Sequence, residues 1–244
     1  MMRRAWMMAP LALLAACIDF VEVTAPPPEP RPASATVTLQ VGDRTRLHAG
    51  DSLFAVGYAS AGRADDGTPR AFADDVLHVA GVPVAPEPRP DSSRAYFVRL
   101  PLPDPVRAGG PLEVRMPTVA GVDPPPTFRL YLARPLDDDT LRIAAGQDLV
   151  LRFLTAAADA TQPSQASWNL LLLGDGGAHV ALGASGPLPA TVRVPATWLP
   201  APGPNGLRVE LSAQQHALAG DGGAPYQAAV SLVQDFSWTV LVAP

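Results

Sequence analysis

The chain has 244 residues, 48% of them hydrophobic and 17% charged, a balance that suits a folded body and excludes global disorder. Its formal charge of −5 comes from 18 arginines and no lysine set against 23 acidic residues. That sign opposes adsorption to phosphate backbones, no basic stripe compensates for it, and nucleic acid is not an expected partner.

Chain order begins with Met1 to Cys17, MMRRAWMMAPLALLAAC. Arg3 and Arg4 form a positive start, and Ala5 to Ala16 form an apolar run of about 12 residues, short of the ~20 that a membrane-spanning helix needs. Small residues then lead to the single cysteine in Leu14-Ala15-Ala16-Cys17. This tetrapeptide resembles the lipobox of bacterial lipoproteins, the Leu-Ala/Ser-Gly/Ala-Cys signal of the lipoprotein signal peptidase. The resemblance covers the first seventeen residues, and all four positions match. It implies cleavage between Ala16 and Cys17, a diacylglyceryl thioether on the Cys17 sulfur and an acylated, palmitate-type amine. Cysteine suits that chemistry because its thiolate is the good nucleophile. Each buried CH₂ contributes roughly 0.8 kcal/mol, so two or three acyl chains anchor stably where one does not. Ile18 follows the cysteine where aspartate is the inner-membrane retention signal of Gram-negative lipoproteins, so the resemblance points to the outer membrane. Loss of residues 1–16 leaves 16 arginines against 23 acids, a charge of −7, and no thiol for a disulfide.

Residues 17–35 read as a lipidated cysteine followed by a tether. Pro26, Pro27, Pro28, Pro30 and Pro32 favour extended polyproline geometry, able to hold a body roughly 50 Å from a lipid surface at about 3.1 Å per residue.

Beyond the tether, period-two alternation predicts half-buried strands of antiparallel sheets. Thr36 to Val41, Ala190 to Val194 and Leu207 to Leu211 are the clearest cases. The 29 prolines and 20 glycines punctuate the apolar runs, as many short strands and turns require. Asp159 to Ser167 reads as a short helix or a loop.

The two halves also match each other. Arg46 to Leu53 parallels Arg142 to Leu149, Val98 to Pro101 parallels Val192 to Pro195, and Leu112 to Val114 parallels Leu207 to Val209. The order is conserved at a nearly constant offset of about 95 residues, the mark of a tandem pair. Gly121 to Pro126 has linker composition, which gives body units of 36–121 and 126–244.

Units of this size with about seven short strands are similar to immunoglobulin-like or fibronectin type III modules. The resemblance assigns Asp148 to Leu154 as strand B, Trp168 to Leu173 as strand C with Trp168 facing the core, Leu207 to Ala213 as F and Ser237 to Val242 as the last strand. Two departures stand out: no cysteine pair bridges the sheets, and leucine occupies the place of a corner tyrosine. The expected fold is therefore all-β, two tandem immunoglobulin-like antiparallel sandwiches after a signal peptide and a Pro-rich tether.

Candidate chemistry is sparse. Gly174 to Ala178 and Gly220 to Ala224 repeat Gly-Asp-Gly-Gly-Ala, which reads as hairpin turns because glycine accepts positive φ. Asp137-Asp138-Asp139, Asp65-Asp66 and Asp74-Asp75 read as solvated turns, with a calcium loop as the sharper alternative. His48, His78, His179 and His216 show no zinc-ligand spacing. Gly183-Ala184-Ser185-Gly186 falls one residue short of a nucleophile elbow. Glu113 and Glu210 sit at nearly equivalent repeat positions on exposed strand faces, Glu87 stands apart, and no glycosidase pair is evident. Trp168 and Trp238 read as core, and Trp198 as a residue on a turn. No catalytic, metal or cofactor site is expected. The expected protein is an envelope lipoprotein that binds or makes structural contact, held to lipid through Cys17, with an envelope protein or polysaccharide as partner. The alternatives are an envelope hydrolase whose site forms only in three dimensions, and an accessory subunit of a secreted or envelope complex.

Overall fold

A computed structural model describes residues 29–42, 51–123, 125, 127–154, 165–174, 177–199, 206–220 and 224–243. The first half forms β1 (Ala33–Val41), β2 (Ser52–Ser60), β3 (Phe72–Asp74), β4 (Leu77–Val79), β5 (Val82–Val84), β6 (Glu87–Pro88), β7 (Arg94–Pro101), the one-turn helix α1 (Asp104–Arg107), β8 (Leu112–Arg115), β9 (Thr118–Val119) and β10 (Thr127–Leu130). The second half adds β11 (Arg134–Pro135), β12 (Thr140–Ala144), β13 (Leu149–Leu154), β14 (Gln165–Gly174), β15 (Gly177–Ser185), β16 (Thr191–Val194), β17 (Leu207–Ala219) and β18 (Tyr226–Ala243). The fold is nearly all β, with sheets layered in a sandwich-like manner.

Nine strands form the main sheet, in the order β15-β14-β17-β18-β1-β2-β7-β6, with β12 also on β18. Two smaller sheets, β10-β8-β4-β5 and β11-β13-β16, supply the opposing layers. β18 is the axis of the arrangement. Along one side it pairs antiparallel with β17 over thirteen registered positions, Leu207↔Val240 to Ala219↔Ala228. Along the other it pairs parallel first with β1, Ala33↔Tyr226 to Val41↔Gln234, and then with β12, Thr140↔Thr239 to Ala144↔Ala243.

Alternation along β18 explains where the cores lie. Tyr226, Ala228, Val230 and Leu232 enter one apolar cluster, together with residues of β1, β2, β4, β8 and β10. Phe236, Trp238 and Val240 enter a second, with residues of β13, β14, β16 and β17. All these positions are even-numbered, so they point to one face of the strand. Both small sheets therefore cover the same face of the main sheet. In the second cluster, Phe153, Phe236 and Trp238 stack with ring centroids 5.8 to 6.0 Å apart, with Phe153 edge-on to Trp238. Such contacts add to the area that aromatic side chains bury.

Gln234 stands in the core-facing row between the two clusters and is 1% exposed. Its Oε1 accepts the Ala133 N–H at 2.8 Å and its Nε2 donates to the Ala133 carbonyl at 3.3 Å. This pins the segment between β10 and β11 against β18 at the changeover. A second tie comes from Tyr226, whose hydroxyl donates to the Pro117 carbonyl at 2.8 Å. The β17–β18 hairpin thus reaches back from the second half of the chain to complete the first core.

The segments that match between the halves lie in or lead into antiparallel ladders, β2, β7 and β17 in the main sheet and β8, β13 and β16 in the smaller ones. β2 pairs antiparallel with β7 and places Leu53 opposite Leu100, while β13 pairs antiparallel with β16 and places Leu149 opposite Val194. Val114 of β8 lies between Val79 and Phe128, and Val209 of β17 lies between Leu172 and Trp238.

Several predicted elements differ in extent. β1 begins at Ala33, with Ala33 and Ala35 buried, so the last proline-flanked residues already belong to the sheet. The segment read as helix or loop ends in strand, since β14 starts at Gln165; 155–164 lie outside the described residues. Gly174 pairs with Gly177 across the β14–β15 hairpin, and Gly220 has a φ of 77°; Asp175, Gly176 and 221–223 lie outside the described residues. A Cβ at Gly220 would collide with the Tyr226 carbonyl, so the hairpin requires glycine there.

Replacing Gln234 with leucine orphans both Ala133 backbone groups and should lower stability by about 1–3 kcal/mol, read as a fall in the urea midpoint at unchanged m. Burial raises the phenol pKa of Tyr96 and of Tyr226, in the former helped by the nearby Asp75 carboxylate. The folded state therefore keeps these protons when the unfolded chain loses them, so stability is full below about pH 10 and falls as pH rises beyond it. The Tyr226→Phe form should show a shallower alkaline decline in denaturation midpoint than the wild type.

Candidate functional site

Both small sheets cover one face of the main sheet, and among the described residues no layer covers the other. Its side chains are the odd-numbered residues of β18 and β7, and the even-numbered residues of β1, β2 and β17. Register places Gln165, His216, Ser231, Thr38, Val56 and Phe97 directly opposite one another across β14, β17, β18, β1, β2 and β7. Five interstrand steps of about 4.8 Å make this row about 24 Å long. None of the six is an aspartate, glutamate or arginine.

The row begins in a half-open groove of about 740 Å³, walled by the β15–β16 turn at Ser185, Gly186 and Pro187. Gly186 N–H donates to the Ala166 carbonyl at 2.7 Å, which holds that turn against β14. Inside the groove, His216 Nδ1 lies 2.7 Å from Ser231 Oγ. At the other end the surface turns apolar and aromatic. Phe97 is 67% exposed, Val56 53% and Tyr58 40%. Charges do lie near the row, each with a partner: Arg99 lies over the Phe54 ring at 5.0 Å, Asp235 Oδ2 accepts from Gln40 Nε2 at 3.4 Å, and Asp91 Oδ2 accepts from the Tyr58 hydroxyl at 3.5 Å.

A serine beside a histidine invites a hydrolase, and the geometry argues against it. A nucleophilic pair needs an orienting group on the histidine and donors for the oxyanion. Among the described residues no carboxylate hydrogen-bonds His216. Ser231 lies mid-strand, with β17 on one side and β1 on the other, so the ladder engages the surrounding backbone donors. Ser185 ends β15 in the same groove, apart from any nucleophile elbow.

The acidic clusters resolve into separate structural roles. Asp137 is not a solvated turn residue: it is 6% exposed and accepts the Arg152 N–H at 2.6 Å and the Arg152 guanidinium at 2.7 and 3.0 Å. It fastens the chain after β11 to β13. Asp75 pairs with Arg94 at 2.8 Å, and Asp74 Oδ1 accepts the Val76 N–H at 3.1 Å. Thr68, through its hydroxyl and its N–H, lowers the carboxyl pKa of Asp66, and Ser93 does the same for Asp91. No group of three or more potential metal ligands occurs among the described residues.

The remaining candidates are dispersed. Glu113 pairs with Arg129 and Glu210 with Arg208, both at 2.9 Å, while Glu87 lies exposed in β6. The His78 ring meets the Arg115 guanidinium at 3.2 Å. His179 falls in β15, and His48 lies outside the described residues. Trp238 is buried, Trp168 packs partly buried against the second core, and Trp198 is 42% exposed in a one-turn 3₁₀ helix, Ala196–Trp198. Ala16 and Cys17 lie outside the described residues. Among the described residues no helix is long and apolar enough to cross a membrane. Sequence reasoning missed the uncovered face, because strand alternation marks which residues share a face but not which strands lie side by side.

No family model matches the chain, and no curated protein matches it. Among solved structures, the yeast delta-COP-I mu-homology domain is similar over 88% of this chain and 99% of its own, at 11% identity and a TM-score of 0.38.

With the carboxylates committed to separate partners, millimolar calcium should leave the melting temperature unchanged by calorimetry. A rise of several degrees would reveal a site that these side chains do not form.

Proposed function

We propose that the protein is an envelope lipoprotein, cleaved after Ala16 and acylated on Cys17, whose β body is a non-catalytic binding or structural module at the outer membrane. The observation that carries this reading is Leu14-Ala15-Ala16-Cys17 placed directly after a positively charged start and a short apolar run. Two acyl chains or more supply the anchoring that one cannot. Proline-rich sequence then separates lipid from body, with Arg31 already bridged to Arg63 backbone to backbone.

In this reading the body is a pair of immunoglobulin-like sandwiches. Support comes from the recurrence of β2–β7 as β13–β16 and of β4–β8–β10 as β14–β17–β18 at matching registers. Binding is favoured over hydrolysis because the one serine–histidine contact described lacks an orienting carboxylate.

In the native host, labelled palmitate should enter the wild-type chain and not a Cys17→Ser form, and the mature protein should begin at Cys17. A wild-type chain that takes up no label, or a product that begins upstream of Cys17, would overturn the anchor.

A further inference from the structure

We propose that the row Gln165–His216–Ser231–Thr38–Val56–Phe97 is a binding groove for a neutral, linear polysaccharide segment. The inference deepens the proposed binding module and rests on that reading for its place in the envelope, though not for its chemistry.

Three features of the face select this ligand class. The first is electrical. None of the six row residues is aspartate, glutamate or arginine, so neither a polyanion nor a polycation finds an acidic or arginine partner within the row itself, and Arg99 and Asp235 on the same face are engaged with Phe54 and Gln40. The second is hydrogen bonding. Gln165, His216, Ser231 and Thr38 present an amide, an imidazole and two hydroxyls, groups that together donate and accept, as a ligand dense in hydroxyls requires. A protein partner would instead call for an apolar centre and a polar rim, whereas the middle of this row, His216, Ser231 and Thr38, is polar. The third is the aromatic end. Phe97 opposite Val56, with Tyr58 beside them, offers an exposed platform on which the C–H face of a sugar ring can stack.

Geometry agrees. The groove at the β15–β16 turn closes one end of the row, the aromatic platform marks the other, and the about 24 Å between them suits a short run of sugar units. His216 and Ser231 are already hydrogen-bonded to each other, so less side-chain freedom is lost when a ligand binds.

The test uses the full-length chain, extracted in detergent, against cellopentaose, maltopentaose and xylopentaose, with heparin as the polyanion, by calorimetry. Saturable binding of at least one neutral pentasaccharide and none of heparin is expected. Phe97→Ala should weaken that binding about tenfold through loss of ring stacking, and His216→Ala should weaken it comparably. Both side chains lie on the uncovered face, so unchanged melting temperatures will separate lost contacts from lost folding. Binding to none of the neutral sugars, binding to heparin alone, or binding undiminished in both variants overturns the proposal. So does self-association through this face, seen as a dimer in sedimentation that Phe97→Ala abolishes. Palmitate labelling is independent of all these outcomes, so a failed anchor and an empty groove are distinguishable.

Discussion

The structure depends on one strand serving two cores. β18 contributes alternate side chains to the first apolar cluster from Tyr226 to Leu232 and to the second from Phe236 to Val240, without a break in its pairing to β17. Such a strand must pass the boundary between clusters, where the core-facing side chain meets backbone instead of apolar neighbours. Leucine there would leave Ala133 with an unpaired N–H and carbonyl. Gln234 satisfies both with one amide, and a buried polar group costs little when its hydrogen bonds are complete. The parallel partners follow from the same constraint: β1 and β12 divide one side of β18 between them, each paired beside the core it helps to build.

The uncovered face is a consequence of that arrangement. Because the residues feeding both clusters share one face of β18, both small sheets fall on the same side, and among the described residues the opposite side of the main sheet has no covering layer. Its composition fits exposure. Threonines, serines and glutamines hold the middle of the sheet, where β propensity and water contact are both met. Exposed large apolar side chains stand at Val56, Tyr58 and Phe97 toward one end and at Leu218 on β17.

Much of this was legible in the sequence. Thr36 to Val41, Asp148 to Leu154 and Trp168 to Leu173 lie within or almost within observed strands, because alternation reports a half-buried pleat directly. The pairing of β1 with β18 was not legible. It joins residues nearly 200 apart, and alternation carries no information about the partner. The length of β18 was hidden for a different reason: Ser237 to Val242 reads as a strand, whereas the alternation upstream is diluted by Ala228 and interrupted by Gln234, a polar residue in a core row. Asp137 escaped for a similar reason, because a triplet of aspartates reads as solvent-exposed until Arg152 is seen beside it.

The proposed anchor and the proposed groove are linked through β1. The chain enters the sheet at Ala33, opposite Tyr226, and the proposed groove crosses the same strand at Thr38. Five residues of strand advance about 17 Å, so the row lies that much farther along the sheet than the point of attachment. Strand pairs define the row, so it runs across β1 and not along it. A tether pulling along β1 would therefore set the row broadside to the membrane, and a polymer lying parallel to that surface could fill the groove without approaching the lipid end-on. A ligand that instead ran along the strands would have to cross the closely spaced rows and meet Asp235 and Glu210, which lie on the same face toward the second core. The uncharged path leads across the sheet.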